Sequence, residues 1–302
     1  MFCDRVSCSL FGIICLSVLQ SGCSDAPPAI NSTPAGNVPD PVSPATANSD
    51  ETPAVDVAGN SDAPIHHYLH KKEQPHTAEW GYTGETGPGH WGDLSPEYVL
   101  ARTGRQQSPI DIEAVEPSSM SAIEFAYGPS LIDLVYNGHT VEEIEDHHSS
   151  IAVAGKRYTL QQFHFHSPSE HTVKGRHSAM EMHLVHKSDD GTIAVIAVLI
   201  EEGADNPAFD QVWNYLPTKT NRERKENVTI DAATLLPTDQ NYYRYTGSFT
   251  TPPCTENVLW MILKTPVELS EQQITKFRKI IDGNNRPVQP LNERTVTGPA
   301  IR

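Results

Sequence analysis

The chain has 302 residues and a formal charge of −16 at pH 7, with 38 acidic against 22 basic side chains. The length allows one large domain or two ordinary ones. The acidic balance argues against nucleic acid as a partner, which needs clustered Lys and Arg, and against electrostatic docking on anionic lipid.

The first 23 residues read as an export signal. Arg5 precedes an apolar run from Leu10 to Leu19, too short to span a bilayer and right for a signal h-region. Ser21-Gly22-Cys23 follows, and a small pair before a Cys predicts a lipoprotein signal with Cys23 lipidated. Gln20, standing where a Leu is usual, and Asp4 depart from that pattern, so plain export with cleavage and an uncleaved anchor stay open. The expected location is exported and periplasmic, anchored to the outer membrane; Ser24 favours that membrane by analogy. Residues 24–64 hold eight prolines, six acidic residues and no Lys, Arg or aromatic. Such a stretch cannot offset its ordering entropy by burial, and reads as an extended tether of roughly 35 Å r.m.s. reach. Residues 65–77 form a poorly structured lead-in, in which His66, His67 and His70 read as a solvated linker end. Of the cysteines Cys3, Cys8, Cys15, Cys23 and Cys254, only Cys254 lies beyond the signal. The domain therefore has no internal disulfide and no Cys-based zinc site, and any metal must rest on His or carboxylates.

From residue 78 to 302 the chain reads as one globular domain. Short β-type runs recur at Ile123–Phe125, Leu131–Tyr136, Ile151–Val153, Gln161–His166, Glu181–His186, Ile193–Ile200 and Val258–Leu263. Turn signals separate them, including Asn137-Gly138 and Asp190-Gly191, the latter predicting a hairpin. Helical signals are few: Ser95-Pro96, Asn206–Leu216 and a capping box of Ser270 with Gln273 ahead of Ile274, Phe277 and Ile281. The pattern is a β-rich α+β fold with peripheral helices.

Fourteen histidines are present, and position selects among them. In a strand, side chains at i and i+2 share a face. Gln162, His164 and His166 therefore point one way and Phe163 and Phe165 the other; Glu181, His183 and Val185 share a face of a second run. If the two strands are neighbours, three imidazoles converge, leaving the open fourth position of a catalytic zinc site. Gln162 and Glu181, each two residues before a ligand, stand where orienting acceptors belong. A chance polar pair is the competing reading of His-x-His alone.

The stretch QFHFHSPSEHTVKGRHSAMEMHLVH resembles the core signature of the alpha-class carbonic anhydrases. So do EWGYTGETGPGHWGDLSP, RQQSPIDI, NGH, YTGSFTTPPCTENVLW and NNRPVQPLNER, in the family's order over residues 78–298. The resemblance implies a large central, mostly antiparallel twisted sheet with short peripheral helices. It implies zinc on His164, His166 and His183, and reversible hydration of carbon dioxide to bicarbonate and a proton by attack of a zinc-bound hydroxide. Glu170 and Thr250 would orient that hydroxide, and Thr251 would line the bicarbonate position. Val185, Val195, Phe249, Val258 and Trp260 would form the apolar wall for the substrate. His139 matches the proton-shuttle position, with Tyr82 and Asn137 holding ordered water, and Asn284 matches the family pattern beside the ligands. His171 is expected to serve structure beside Glu170, and His147 and His148 to lie at the surface.

Two departures accompany the match. Ala101 stands where exported bacterial members carry the partner of the cysteine matching Cys254, which predicts an unpaired thiol and a possible dimer through it. Asn285 replaces a Trp common among relatives. Two other classes compete with the enzyme, a binding module that keeps the fold without catalysis and a zinc buffer. Silent relatives lose a zinc His, whereas here all three remain.

Overall fold

Alternation of apolar and polar side chains builds the centre of the fold. The computed structural model describes residues 78–146 and 148–299; the expected signal, tether and lead-in, and His147, lie outside the described residues. Eight strands form the body of one sheet: β1 Pro129–Tyr136, β2 Val141–Ile144, β3 Lys156–His166, β4 Met180–Lys187, β5 Ile193–Glu202, β6 Asn221–Asp231, β7 Tyr242–Ser248 and β8 Glu256–Leu269. Their spatial order is β6-β1-β2-β3-β4-β5-β8-β7, continued by Thr297–Gly298 and Glu116–Pro117. β5 and β8 run parallel, as do the two short segments at the end, while the other neighbours in this path are antiparallel. The expected β-rich domain with a mostly antiparallel sheet is the one observed.

Every expected strand is present within a few residues, and β4 and β5 form the hairpin signalled by Asp190-Gly191. Three strands carried no readable signal. β2 is Val-Glu-Glu-Ile, β6 is a run of charged and polar residues, and β7 begins on a pair of tyrosines. β6 is an edge strand, largely exposed on both faces, so it needs no apolar alternation, and its charges disfavour pairing with another chain.

The two faces of the sheet have different occupants. Leu134, Phe163, Phe165, Met182, Leu184, Ile196, Val198, Met261 and Leu263 form the main core on one face. Two helices cover it: α1, Pro207–Trp213, capped by Asn206, and α2, Glu271–Arg278, held by the capping box of Ser270 and Gln273. Phe165 meets Trp213 and Phe277 edge-on, with ring centroids 5.0 and 5.8 Å apart. The opposite face carries a second apolar cluster around Val185, Val195, Val258 and Trp260, and beside it the histidines. Among the described residues no helix is long and apolar enough to cross a membrane.

Strand β2 buries carboxylates on both faces. Glu143 pairs across the sheet with Leu134 and Phe163, on the core side. Both its oxygens accept the backbone N–H of Asp133, at 3.2 and 3.0 Å. Asp133 itself is neutralised by Arg222 and Arg224 of β6. Burial pushes the Glu143 carboxyl up to about 9; the bond from Asp133 opposes this, and the charges of Asp133, Glu145 and Asp146 add to it.

Between its ordinary value of 4.5 and about 9, Glu143 is neutral when folded and ionised when unfolded. The unfolded chain then binds fewer protons, so stability falls as pH rises through that window, by up to about 1.4 kcal/mol per pH unit from this group. Glu143→Gln is expected to flatten that decline and to raise the urea midpoint at pH 8 above the parent's. An unchanged pH profile of the midpoint would show that the folded chain carries the carboxylate ionised.

Candidate metal centre

β3 and β4 are antiparallel neighbours in which His164 lies opposite His183 and His166 opposite Glu181. The three imidazoles share the face away from the main core, with ring centroids 5.0, 5.2 and 4.6 Å apart. A register shift in this pair rephases β3: Val185 faces Gln162, and His186 faces Leu160. Gln161 is the extra residue. It lets Tyr158 and Leu160 join Phe163 and Phe165 in the main core although their spacing is odd. Gln162, His164 and His166 are left together on the site face.

Each imidazole is oriented by an acceptor. His164 Nδ1 donates to Gln162 Oε1 at 2.8 Å, His166 Nδ1 to the carbonyl of Asn284 at 2.7 Å, and His183 Nε2 to Glu181 Oε1 at 2.8 Å. A carbonyl, an amide oxygen and a carboxylate accept but do not donate, so each ring carries its proton on the outer nitrogen and turns a bare one inward. The three inward-facing groups fit one metal ion, their ligand atoms lying within 4.8 Å of one another. His166 Nε2 is buried with no hydrogen-bond partner, a costly state for a polar atom unless something binds it. Burial, reinforced by the neighbouring rings, holds His164 well below the usual histidine range, and burial lowers His166 as well. Both are therefore neutral, the form that ligates.

Glu181 is the hub behind the ligands. Burial alone would raise its carboxyl, but His171 and His183 hold it well below the usual carboxylate range. Oε1 accepts from both rings, and Oε2 accepts the backbone N–H groups of Glu170 and His171 at 2.8 Å each. His171 Nε2 continues to the Tyr245 hydroxyl at 2.7 Å, which meets Ser108 Oγ at 2.7 Å. These bonds already engage His171, Glu181 and His183 with one another, so that trio is an orienting chain and not a second metal site. Glu170, completely buried, accepts the Arg286 N–H on Oε1 at 2.8 Å; its Oε2 has no hydrogen-bond partner and lies 3.6 Å from His166 Nε2.

Most other expected residues also converge. Val185, Val195, Val258 and Trp260 form one apolar cluster with Phe249 against it, and the Trp260 ring sits 4.8 Å from His183. Thr250 is buried and Thr251 half-buried at the start of the β7–β8 connection. His139 stacks on Trp80, centroids 3.7 Å apart and planes 10° from parallel, with Tyr82 edge-on to the same Trp. Asn284 does more than its motif suggests. Its side chain accepts the Ser167 N–H and donates to the carbonyls of His139 and Phe165. His148 lies exposed beside Asp146.

The sequence carries no local signal for the roles of Tyr245, Ser108 and Glu142. The first two lie inside YTGSFTTPP and RQQSPI, yet nothing local in either motif marks a partner more than a hundred residues away. Glu142 sits in a strand too polar to read as one. The possible dimer through Cys254 is corrected. The thiol is completely buried, and burial pushes it up to about 11, so it is neither accessible nor nucleophilic.

Comparison with known proteins agrees with this geometry. The sequence profile described as Eukaryotic-type carbonic anhydrase matches residues 86–299. A carbonic anhydrase of Neisseria gonorrhoeae is 45% identical over 219 residues, covering 72% of this chain and 86% of the relative. One from Klebsiella pneumoniae is 44% identical over 222 residues, covering 72% and 90%. The structure of an alpha-carbonic anhydrase from Thermovibrio ammonificans, in complex with sulfanilamide, superposes with a TM-score of 0.71 at 46% identity, over 74% of this chain and all of that one.

Two outcomes follow. Gln162→Ala and Glu181→Ala each remove the acceptor that fixes a ligating ring, and are expected to weaken zinc affinity by about 10–100-fold in a chelator competition; parental affinity in both would mean the rings are oriented by packing alone. Cys254 should resist a thiol reagent in the folded chain and react fully once urea unfolds it. A non-reducing gel should accordingly show monomer.

Proposed function

This chain belongs to the eukaryotic-type, alpha-class carbonic anhydrase family, and we propose that it hydrates carbon dioxide reversibly to bicarbonate and a proton, with zinc held by His164, His166 and His183. The observation that carries the reading is the set of three imidazoles, each anchored outward on an acceptor, with the orphaned His166 Nε2 among them. Zinc bound there would supply a Lewis acid that lowers the pKa of a coordinated water to about 7, carbonic anhydrase being the standard case of that value.

The chain's own residues supply orientation, a dry wall and a proton exit. The unpartnered Glu170 Oε2 is acceptor-only when ionised, so it draws the Thr250 hydroxyl proton toward itself. The Thr250 oxygen would then accept a hydrogen bond from the nucleophile, leaving the nucleophile's lone pair turned toward the substrate. Val185, Val195, Phe249, Val258 and Trp260 offer an apolar surface to an apolar molecule, and Thr251 lines the side where the anionic product forms. His139, an imidazole that can take up a proton on one ring nitrogen and release one from the other, passes the released proton to buffer, and Tyr82 and Asn137 hold the intervening water. The proposal includes export, with Cys23 lipidated and the domain tethered at the outer membrane. Cys23→Ala would then release the protein from the membrane fraction, and retention would remove the anchor.

The test is stopped-flow hydration of carbon dioxide on the purified chain, together with a zinc assay. One zinc per chain and fast hydration are expected, both lost in His183→Ala. Thr250→Ala should keep zinc and lose about 10²-fold in kcat/KM. Bound zinc without hydration above background would move the chain to a non-catalytic binding role.

A further inference from the structure

The turn that carries His139 is built on an acid in the neighbouring strand. Glu142 of β2 lies opposite His164 on the site face and is 1% exposed. Its Oε1 accepts a hydrogen bond from Asn137 Nδ2 at 2.5 Å. Asn137 in turn offers Oδ1 to the backbone N–H groups of His139, at 2.8 Å, and Thr140, at 3.0 Å. An Asn side chain closing its own turn normally leaves its amide nitrogen to solvent. Here that nitrogen is taken by a buried acceptor, which decides the orientation of the whole amide: nitrogen toward Glu142, oxygen toward the turn. Gly138 lies between them at φ 93°, which only glycine adopts freely. On the far side, Asn284 Nδ2 donates to the His139 carbonyl at 3.1 Å, and Thr140 Oγ1 to the Phe165 carbonyl at 2.6 Å.

Glu142 has a cost that packing alone does not justify. Its Oε2 is buried with no hydrogen-bond partner, a penalty of about 1–3 kcal/mol that an apolar residue at the same strand position would avoid. What the carboxylate provides in exchange is the single bond to Asn137.

We propose that Glu142 is a positioning residue for His139: by fixing the Asn137 amide it locks the turn and holds the imidazole against Trp80 at the mouth of the site. This rests on the reading of His139 as the proton relay. A Glu142→Val chain keeps the strand and loses the acceptor, whereas Glu142→Gln can still present an oxygen to Asn137.

The experiment compares both variants with the parent on the full, zinc-loaded chain, with His139→Ala as a reference. The first readout is hydrogen exchange at the His139 and Thr140 amides, which needs no turnover. It is expected to rise at least about tenfold in Glu142→Val and to stay parental in Glu142→Gln. The second is hydration in weak buffer. In Glu142→Val, kcat should fall by about tenfold while kcat/KM holds, and added imidazole should restore kcat, as it should in His139→Ala. Parental amide exchange in Glu142→Val overturns the proposal, as does a joint loss of kcat and kcat/KM that imidazole does not restore. If His139→Ala itself keeps parental kcat, the relay reading fails instead, and amide exchange still decides whether Glu142 locks the turn.

Discussion

The site depends on the register of β3 against β4. His164 opposite His183, with His166 one alternate position along, is what makes three rings meet. Because side chains in a strand alternate with a period of two, a slip of β3 by one residue would send His164 and His166 into the core, away from His183, and bring Phe163 and Phe165 out to the site face. Burial of Phe165 against Trp213, Phe277 and Phe209, with Phe163 edge-on to Phe165, is therefore also what holds the candidate metal ligands in place. The core and the site are the two faces of one strand pair and cannot be varied independently. The extra residue at Gln161 marks where that coupling ends. Beyond it β3 needs no side chain on the site face, and Tyr158 and Leu160 return to the core.

Around the ligands, polarity is arranged by layer. The outer nitrogen of each ring finds an acceptor that cannot donate, and two of the accepting residues, Glu181 and Asn284, are tied in turn to backbone N–H groups. Glu181 receives the N–H groups of Glu170 and His171, Asn284 receives that of Ser167, and Glu170 receives that of Arg286. The segments between strands are thus positioned by the same carboxylates and amides that aim the rings. The cost of burying these charges is met by hydrogen bonds in pairs. Among the buried atoms left without a partner, which include Gln162 Nε2 and Glu142 Oε2, His166 Nε2 and Glu170 Oε2 lie 3.6 Å apart, beside the proposed metal position.

How much of this was legible in the sequence follows from how local each signal is. The ligands, their Gln162 and Glu181 acceptors and the flanking strands alternate in plain view, because two-residue periodicity is written over five or six adjacent residues. The helix caps at Asn206 and Ser270 are equally local. The charged strand β6 was not legible, since an edge strand exposed on both faces carries no apolar pattern. Nor was β2, whose buried carboxylates imitate a surface loop. The chain through Tyr245 and Ser108 joins segments 137 residues apart and leaves no spacing to detect. The fate of Cys254 turned on burial, which a missing partner cysteine does not reveal. An unpaired cysteine and an accessible one are different properties, and only packing separates them.

The unreadable strand β2 also connects the His139 turn to the three-histidine cluster. Its two adjacent glutamates point to opposite faces: Glu143 into the core, where its carboxyl takes up the N–H of Asp133, and Glu142 to the site, where it takes up Asn137. Neither is favoured by burial alone; Glu143 accepts a backbone N–H and Glu142 a side-chain amide N–H. The β2 strand is hydrogen-bonded to β3 directly beside His164, and the Asn137 turn is bonded to Asn284, whose carbonyl aims His166. The three-histidine cluster and the His139 turn therefore share one frame of backbone and amide hydrogen bonds. Under the proposed relay through His139, a turn tied down at both ends keeps the proton donor and acceptor at one separation between turnovers.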